Sequence, residues 1–459
     1  MIPRIVVAGT SSGAGKTTVA CGLIGALRAR GLTVQGFKVG PDYIDPSHHA
    51  LASGRPGRNL DAFLSGPELI APLVRHGSAG ADIAVIEGVM GLFDGASGRG
   101  ELASTAHVAK LLDAPVLLVL DAAAMARSAA AMVHGFRTFD PDVNVAGVIF
   151  NKVGSDIHEQ LLREALDGSG VPVLGALRRD ERVVTPERHL GLVPVAERED
   201  SARRALDALA TAMAAHADLD EVVRLAGRAP RSTGPAWSPE AEAPVPAGTR
   251  IAIARGPAFS FHYQENLELL EGAGAELHGF DPLTDTALPV GAGALELAGG
   301  FPEVFGAQLA ANARLREQVR AFAASGRPVL AECGGLLYLC DRLDEHEMCG
   351  ALPARASMTR RLTLGYREAV ATAATPWLEA GQAVRGHEFH YSKVEALDPQ
   401  ALSAWRLSTQ TFERTEGIVS GGVQAGYLHV HWAAHPALAR AFAGAAVVGA
   451  WAQLDGAPA

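Results

Sequence analysis

A cysteine between an apolar strand and two glycines is the residue in this chain whose setting most directly suggests chemistry. Cys333 follows the apolar run 328–332 and precedes Gly334 and Gly335. Because two glycines permit a sharp turn, we expect the turn to expose the sulfur. A helix beginning there would lower the pKa of the thiol and favour the nucleophilic thiolate. The pattern predicts a nucleophile elbow with cysteine in place of serine.

Such a nucleophile requires a base and donors for an oxyanion. The segment Tyr-Leu-His-Val-His-Trp supplies His429 and His431 near the end of the last predicted strand, and strand alternation predicts that both lie on one face. The backbone N–H groups of Gly300 and Gly334 are the candidate oxyanion donors. The other cysteines are expected to be buried and inert: Cys21, Cys340 and Cys349.

A second chemical signal is the segment Gly-Thr-Ser-Ser-Gly-Ala-Gly-Lys-Thr-Thr at 9–18, which follows a strand and opens a helix. This context predicts a phosphate loop in which Lys16 reaches the β/γ-phosphates and the Thr17 hydroxyl binds Mg²⁺. Five residues separate Gly9 from the Gly-Lys-Thr triplet, a longer form that resembles dethiobiotin synthetase and its relatives. The partition and septum-site ATPases carry lysine where this chain has Ser11, and this difference argues against that branch of phosphate-loop proteins. The predicted nucleotide-binding residues are Gly13, Gly15, Lys16, Thr17 and Thr18.

Carboxylates follow the next two predicted strands. Asp42 and Asp45 lie at the end of the second strand, and Glu87 lies at the end of the third. Because loops at the carboxyl ends of strands build the ligand crevice of a doubly wound sheet, both segments should face the phosphate loop. Thr17, Asp42 and Glu87 meet the oxygen-ligand requirement of nucleotide-bound Mg²⁺. The alternative for Asp42 and Asp45 is turn formation beside proline, which needs no metal.

Three other polar residues near these loops have weaker signals. His48 and His49 follow the Asp45-Pro46 turn, where histidines are more often caps or surface groups. Asp121 closes the strand at 116–120 and is either a crevice residue or a helix cap.

Two α/β domains position these residues. Residues 4–225 read as apolar strands alternating with helices, which predicts a doubly wound, parallel-sheet domain. The pattern breaks in a Pro/Ala-rich stretch, and a second α/β unit begins at about residue 250. The predicted organisation is a phosphate-loop domain at 1–225, an extended and partly mobile linker at 226–248, and a second α/β domain with the cysteine elbow at 249–459.

Length and composition restrict the function classes. At 459 residues the chain should form two to four domains, and 48% hydrophobic with 20% charged residues is the balance of a globular enzyme. The net charge of −10 argues against a nucleic-acid partner. Apolar runs are strand-sized, there is no secretory signal, and four cysteines show no disulfide or metal spacing. We therefore expect a cytoplasmic protein with no membrane partner.

The motifs together resemble the glutamine-dependent corrin amidotransferases, and specifically the cobyrinic acid a,c-diamide synthase family. The resemblance covers residues 9–432 and is carried by the phosphate loop, the loops after Lys38 and at Glu87, the Gly-Gly-Phe-Pro-Glu turn, the cysteine elbow and the double-histidine segment. Cobyric acid synthase would carry Gln-Asn-Met near the second strand, where this chain has Gly-Pro-Asp-Tyr-Ile-Asp at 40–45. The resemblance to the a,c-diamide synthase family implies a phosphate-loop NTPase domain followed by a class I-type amidotransferase domain.

The resemblance also implies roles. Cys333 would release ammonia from L-glutamine through a thioester, and ATP with Mg²⁺ would activate the c and then the a acetate of a polycarboxylate corrin as acyl phosphates. Class I domains commonly carry glutamate two residues after the catalytic histidine, and here His431 occupies that place. His429 is therefore the favoured base and His431 is the alternative. Because the glutamate is missing, the third member of the triad is open. Asp45 and Asp94 match family positions tied to activity.

Several points stay open in the sequence. The segments 361–369 and 385–392 suggest a domain interface or a corrin contact, with candidates Arg385, His387, Glu388 and His390. The corrin substrate is either cobalt-containing or metal-free, and another tetrapyrrole such as nickel sirohydrochlorin is an alternative substrate. The alternative functions are a non-amidating ATPase switch and a glutaminase-fold regulatory protein. A homodimer is compatible with this ATPase group.

Overall fold

The computed structural model describes residues 1–179, 187–188, 191–192, 194–231, 233–398, 401–409 and 412–447. The chain forms two compact units, Met1–Ser238 and Pro239–Ala459. The division between them falls inside the stretch predicted as a linker.

The first unit is built on a seven-stranded sheet with the order β3-β2-β4-β1-β5-β6-β7, in which every pairing is parallel. The described strands of this unit are β1 (Arg4–Gly9), β2 (Val34–Val39), β3 (Arg58–Leu60), β4 (Ile83–Glu87), β5 (Val116–Asp121), β6 (Val145–Val153), β7 (Val173–Arg178), and the short pair β8 (Glu187–Arg188) and β9 (Gly191–Leu192). The central strands are buried along their length, as their continuous apolar runs predicted.

Helices cover this sheet. They are α1 (Lys16–Ala29), α2 (Ile44–Ser53), α3 (Pro67–Gly77), α4 (Thr105–Leu111), α5 (Ser128–Phe139), α6 (Asp156–Leu166), α7 (Glu199–His216) and α8 (Leu219–Ala226). Val19, Leu23 and Leu27 of α1 repeat at a spacing of four residues and join a core cluster with Leu209 and Met213 of α7. Helix α1 is the one that the phosphate-loop segment is predicted to open.

The second unit contains two sheets. Its described strands are β10 (Arg250–Ala254), β11 (Glu276–Phe280), β12 (Ala292–Leu297), β13 (Val329–Glu332), β14 (Arg342–Leu343), β15 (His346–Glu347), β16 (Ala354–Ala371), β17 (Ala383–Ala396), β18 (Trp405–Ser408), β19 (Glu413–Glu416), β20 (Ile418–Ser420), β21 (Val423–Gly426) and β22 (His429–Val430). Its described helices are α9 (Gln264–Gly272), α10 (Gly306–Ala311), α11 (Ala313–Ala324), α12 (Gly334–Leu339) and α13 (Pro436–Ala445).

The first of these sheets has the order β11-β10-β12-β13-β21-β20 and is parallel except at the β20–β21 edge. The second is a largely antiparallel sheet centred on the long β16–β17 hairpin, and β22 pairs with β17 through His429 opposite His387. The sequence analysis did not predict this second sheet. It matters because it brings β17 beside the double-histidine segment.

The predicted linker is more ordered than its composition suggested. The buried ring of Trp237 packs edge-on against His76, and the Trp237 N–H donates to Pro72 O at 3.1 Å. Farther along, the Val245 N–H donates to Ala273 O at 2.8 Å. In the described part of the stretch, each half is therefore held against its own unit.

No helix in the described ranges has both the length and the apolar character needed to span a bilayer.

Candidate active sites

The phosphate loop has the geometry that its sequence predicted. Gly15 precedes α1 with φ of 98°, a conformation that favours glycine. A Cβ there would stand 1.9 Å from Asn151 Nδ2, an atom that donates to Ala14 O at 3.1 Å. Lys16 Nζ donates to Ser11 O at 3.1 Å across the loop, and burial lowers the pKa of Lys16 to about 8. The loop is thus shaped around backbone groups and one lysine.

A buried charge cluster lies beside the first turn of α1. The Thr17 hydroxyl donates to Glu87 Oε1 at 2.6 Å and lies 3.4 Å from Asp45 Oδ2. Lys38 Nζ bridges the same carboxylates, at 2.5 Å from Asp45 Oδ2 and 2.8 Å from Glu87 Oε1. His49 Nε2 lies 2.7 Å from Glu87 Oε2. Side chains of α1, β2 and α2 therefore converge on Glu87 at the end of β4.

The electrostatics of the cluster follow from burial and proximity. Burial would raise the pKa of Glu87, but the attraction of Lys38 and the hydrogen bond from His49 outweigh it and hold this pKa below its ordinary value. Burial raises the pKa of Asp45, and the neighbouring carboxylates of Asp42 and Glu87 raise it further. Burial would lower the pKa of Lys38, yet Asp45 and Glu87 raise it, so the lysine is a permanent cation.

The other predicted carboxylates of this unit have described bonds within their own loops. Asp42 Oδ1 accepts the N–H groups of Ile44 at 2.7 Å and Asp45 at 3.2 Å, which is capping of α2. Asp45 therefore takes the place beside Thr17 that the sequence analysis gave to Asp42. Asp94 Oδ2 accepts the Gly91 N–H at 2.9 Å and fixes the loop after Glu87. Asp121 caps the turn after β5 through Ala123 N and pairs with Lys152 at 2.7 Å.

Two members of this cluster have a larger part in it than the sequence analysis predicts. His49 is expected to be a cap or surface group, but it is fully buried against Glu87. His48 is buried as well. The sequence analysis assigns no role to Lys38. The available signal was a lysine inside an otherwise apolar buried strand, because a charge there requires a partner.

The cysteine elbow is present, with one property opposite to expectation. Cys333 has φ of 47° and ψ of −97°, a strained conformation for a residue with a side chain, and its N–H donates to Gly426 O at 2.7 Å. The side chain is buried at 5% exposure. Burial, then Glu303 and Glu332, raise the pKa of the thiol, and only the Gly334 N–H opposes them. Where the motif predicts an exposed cysteine that favours the thiolate, the structure has a buried sulfur whose surroundings hold the pKa of the thiol above its ordinary value.

The glycine turns pack around the elbow. A Cβ on Gly334 would stand 2.9 Å from Gly300 N, so the two predicted oxyanion glycines lie against each other. A Cβ on Gly299 would stand 2.5 Å from His429 Cε1. The elbow, the Gly-Gly turn and the His429 ring thus meet at one place in the fold, with only glycine fitting beneath the ring.

The two histidines have different surroundings. β22 ends at Val430, so the strand alternation predicted for His429 and His431 does not reach the second histidine. His429 Nδ1 lies 3.3 Å from Glu332 Oε2, whereas His431 Nε2 lies 3.4 Å from Glu265 Oε2. Both rings are 1% exposed. Glu332 and Glu265 were not predicted as site residues.

Residues of the two segments left open by the sequence contact the cysteine site. The His387 ring stacks on His429 with centroids 5.0 Å apart, and Phe389 O lies 3.8 Å from Cys333 Sγ. Between them, Glu388 is buried and bonds Arg367 Nε at 2.6 Å. These contacts give His387 and Phe389 a place beside the cysteine and its histidine, and the suggested corrin or domain contact stays a prediction.

The remaining candidates of these segments lie around it. The His390 ring stacks on Tyr427 at 3.6 Å, and Arg385 pairs with Glu368 in the β16–β17 ladder. Cys21, Cys340 and Cys349 are buried, and burial raises the pKa of each thiol, as expected of inert cysteines.

Comparison with known proteins agrees with this two-site organisation. The family model for a CobQ/CobB/MinD/ParA nucleotide binding domain matches residues 5–193, and that for a CobB/CobQ-like glutamine amidotransferase domain matches residues 250–437. The hydrogenobyrinate a,c-diamide synthase of Streptomyces coelicolor is 54% identical, covering 96% of this chain and 97% of its own. The chain belongs to the a,c-diamide synthase family.

Two other members of this family have similar coverage. The hydrogenobyrinate a,c-diamide synthase of Mycobacterium bovis is 51% identical over 97% of this chain and 98% of its own. The cobyrinate a,c-diamide synthase of Syntrophotalea carbinolica is 46% identical over 96% of this chain and 98% of its own. Membership confirms the predicted fold class of a phosphate-loop NTPase domain followed by a glutamine amidotransferase domain.

Proposed function

We propose that this protein is an ATP- and glutamine-dependent amidoligase that converts the a and c acetate side chains of a corrin acid into amides. The observation that carries the proposal is the pairing of two chemically distinct sites in one chain. One unit has a phosphate loop with Lys16, Thr17 and Glu87, and the other has the Cys333 elbow with His429. An ATPase switch would need only the first site, and a glutaminase only the second.

In the glutaminase unit, the chemistry is nucleophilic acyl transfer. The Cys333 sulfur attacks the side-chain carbonyl carbon of glutamine, and its proton passes to His429. The C–N bond then breaks, His429 protonates the leaving nitrogen, and ammonia departs from a thioester that water hydrolyses to glutamate. The N–H groups of Gly300 and Gly334 would stabilise the oxyanion. A base is indispensable here, because burial and nearby carboxylates raise the pKa of the thiol.

In the synthetase unit, the chemistry is phosphoryl transfer to a carboxylate. The corrin acetate oxygen attacks the γ-phosphorus of ATP, ADP leaves, and ammonia displaces phosphate from the resulting acyl phosphate. Lys16 would neutralise charge on the phosphates as transfer proceeds. Its pKa of about 8 leaves it mostly protonated at neutral pH.

The residues present fit a magnesium ion of the nucleotide-bound type. The Thr17 hydroxyl and the Glu87 and Asp45 carboxylates are oxygen donors within reach of one another, with Asp42 one turn away. No cluster of three or more His, Cys, Asp or Glu with metal-binding geometry occurs in the described ranges. Phosphates and water would complete the coordination of a nucleotide-bound ion. Bound there, Mg²⁺ would neutralise phosphate charge.

Metal-free hydrogenobyrinic acid is the substrate that the relatives favour. The two relatives compared above that are named for hydrogenobyrinate are 54% and 51% identical, whereas the one named for cobyrinate is 46% identical. The test incubates the protein with ATP, Mg²⁺, glutamine and either acid, followed by mass spectrometry. We expect two successive carboxylate-to-amide conversions on hydrogenobyrinic acid. Absence of amidation on both acids would refute the proposal.

A further inference from the structure

The glutaminase unit contains two histidine–carboxylate pairs, one part-buried and one fully buried, and the carboxylates come from different parts of the fold. His429 Nδ1 lies 3.3 Å from Glu332 Oε2 at the end of β13. His431 Nε2 lies 3.4 Å from Glu265 Oε2 in the first turn of α9. Since the usual class I glutamate is replaced by His431, either carboxylate could serve as the orienting partner of the base.

Glu332 is tied to the reacting centre by the chain itself. It is the residue immediately before Cys333, and β13 pairs with β21 through Glu332 opposite Gly426, whose carbonyl accepts the Cys333 N–H. Its other oxygen, Oε1, accepts the Val430 N–H at 3.4 Å. One side chain therefore contacts both the ring of His429 and the backbone of the next residue, and fixes their place relative to the elbow.

The geometry also sets the tautomer of His429. A proton on Nδ1 facing the Glu332 carboxylate leaves the lone pair on Nε2, which is the atom a general base needs. The ring edge carrying Cε1 lies against Gly299 in the turn beside the elbow. The stacked ring of His387 bounds one face of the imidazole. The orientation of His429 is thus set by a carboxylate, a glycine and an aromatic face.

His431 has a different arrangement. Its Nδ1 accepts the Ala433 N–H at 3.4 Å, so it caps the short turn that follows β22. That bond uses the Nδ1 lone pair and places the ring proton on Nε2, toward Glu265. Its ring lies against Tyr263, with centroids 4.6 Å apart. These contacts are those of a residue that holds the turn together.

We propose that Glu332 is the positioning carboxylate of the glutaminase site, completing a Cys333–His429–Glu332 triad in which the residue before the nucleophile replaces the glutamate that usually follows the histidine. Glu332 orients the Nδ1–H tautomer and stabilises the imidazolium that forms when Cys333 transfers its proton. This inference rests on the proposed glutaminase activity and assigns a residue to it.

The test compares Glu332→Gln with Glu265→Gln in the full-length protein. Glutamine hydrolysis is measured as kcat and KM, and amidation is also driven by added ammonia, which bypasses the glutaminase site. We expect Glu332→Gln to lower kcat for glutamine about 10²–10⁴-fold, as loss of an orienting carboxylate does in other triads. KM and ammonia-driven amidation should stay within a few-fold, and Glu265→Gln should leave kcat within a few-fold.

A second readout separates orientation from structural support. Glu332 also raises the thiol pKa, so Glu332→Gln should make Cys333 alkylation by iodoacetamide faster at pH 8 while hydrolysis becomes slower. A general loss of structure would not move the two in opposite directions in this way. Glu332→Asp, which keeps the charge, should recover part of kcat and preserve the pH profile of kcat/KM.

The outcomes distinguish this inference from the function on which it rests. Glutamine hydrolysis by the unmodified protein with less than a three-fold effect of Glu332→Gln would overturn the inference alone. A large loss in Glu265→Gln would transfer the role to the His431 pair. No hydrolysis by the unmodified protein would instead refute the proposed function. If Glu332→Gln also loses ammonia-driven amidation, the kcat for glutamine of the charge-keeping variant Glu332→Asp is used to judge the triad instead. An unchanged kcat in Glu332→Gln together with an altered pKa of the Cys333 thiol would count against the triad.

Discussion

Replacing Lys38 by methionine would test the buried charge cluster of the synthetase unit. The substitution keeps length and apolar contact but removes the ammonium that lies 2.5 Å from Asp45 Oδ2 and 2.8 Å from Glu87 Oε1. The side chains of Lys38 and Glu87 are 4% and 0% exposed, so water cannot replace the lost partner without rearrangement. The carboxylates would then repel each other in a medium of low dielectric constant.

The size of the effect follows from these distances. At an effective dielectric constant of about 20, charges about 2.7 Å apart attract by about 6 kcal/mol, and desolvation offsets much of that attraction. Removal of one partner from a buried ion pair costs about 3–5 kcal/mol. We expect a loss of this size in the free energy of opening around the carboxyl-terminal ends of β2 and β4, which is a large fraction of the stability of an ordinary domain.

Hydrogen exchange followed by mass spectrometry is the suitable assay, because it reports each unit separately in a two-unit protein. Lys110→Met is the matched control. Lys110 also bridges two carboxylates, Glu101 and Asp140, but its side chain is 22% exposed. Its loss should cost about 1 kcal/mol or less. Protection in the second unit should not change in either variant.

The pH dependence gives the sign of the effect. The depressed pKa of Glu87 contributes stability that is present at neutral pH and lost as pH falls through the folded-state value. In the unmodified protein Glu87 stays ionised between pH 5 and pH 8, because its pKa is depressed below that range. Without Lys38, the buried carboxylates lose the cation that lowers their pKa values, so protonation near pH 5 relieves their repulsion. Removing Lys38 should then cost most near pH 8 and least near pH 5. Adding Asp45→Asn to Lys38→Met should recover part of the loss. Equal costs for Lys38→Met and Lys110→Met, at all pH values, would refute the reasoning.

Three further predictions concern the second unit. Burial raises the pKa of Glu416 to about 7, so its ionisation destabilises the fold; Glu416→Gln should raise the free energy of unfolding by about 1–3 kcal/mol at pH 8 and by little at pH 4.5, measured by denaturant titration. Gly299→Ala should abolish glutamine hydrolysis but spare ammonia-driven amidation, because the methyl carbon would stand 2.5 Å from His429 Cε1; a normal kcat would contradict this. Iodoacetamide labelling of Cys333 should keep rising with pH through pH 9, and a plateau below pH 8 would contradict the raised thiol pKa.

The sequence predicted the elements whose signals are local. The phosphate loop, the strand before it and helix α1 are specified by contiguous residues, and the cysteine elbow by its two glycines. The α/β class followed from apolar strands alternating with helices. Helix α2 was missed because Asp45-Pro46 reads equally well as a turn, and only the capping bonds of Asp42 show that a helix begins there.

Pairing between distant residues was beyond these local signals. Lys38 and Glu87 are 49 residues apart, and His429 and Glu332 are 97 apart, yet each pair shares a hydrogen bond. Lys38 and Glu87 are register partners on the neighbouring strands β2 and β4, whereas His429 and Glu332 lie on strands of two different sheets. No motif encodes either arrangement. The β16–β17 hairpin was missed for a related reason. Its exposed positions are charged or polar over much of its length, and its pairing shifts between Met358 and Thr363, so a simple alternation does not stand out.

The thiol of Cys333 illustrates why a correct motif can lead to an incorrect protonation state. The motif supplies one favourable contact, the Gly334 N–H at the start of a six-residue helix. Against it act burial and the carboxylates of Glu303, Glu332 and Glu416, which lie from one to more than eighty residues away in sequence. Because the summed field favours the neutral thiol, the helix cannot by itself generate the nucleophile. Proton transfer to His429, with Glu332 balancing the new imidazolium charge, is then the step that makes Cys333 reactive, and the same carboxylate that suppresses the free thiolate supports its formation once the proton has moved.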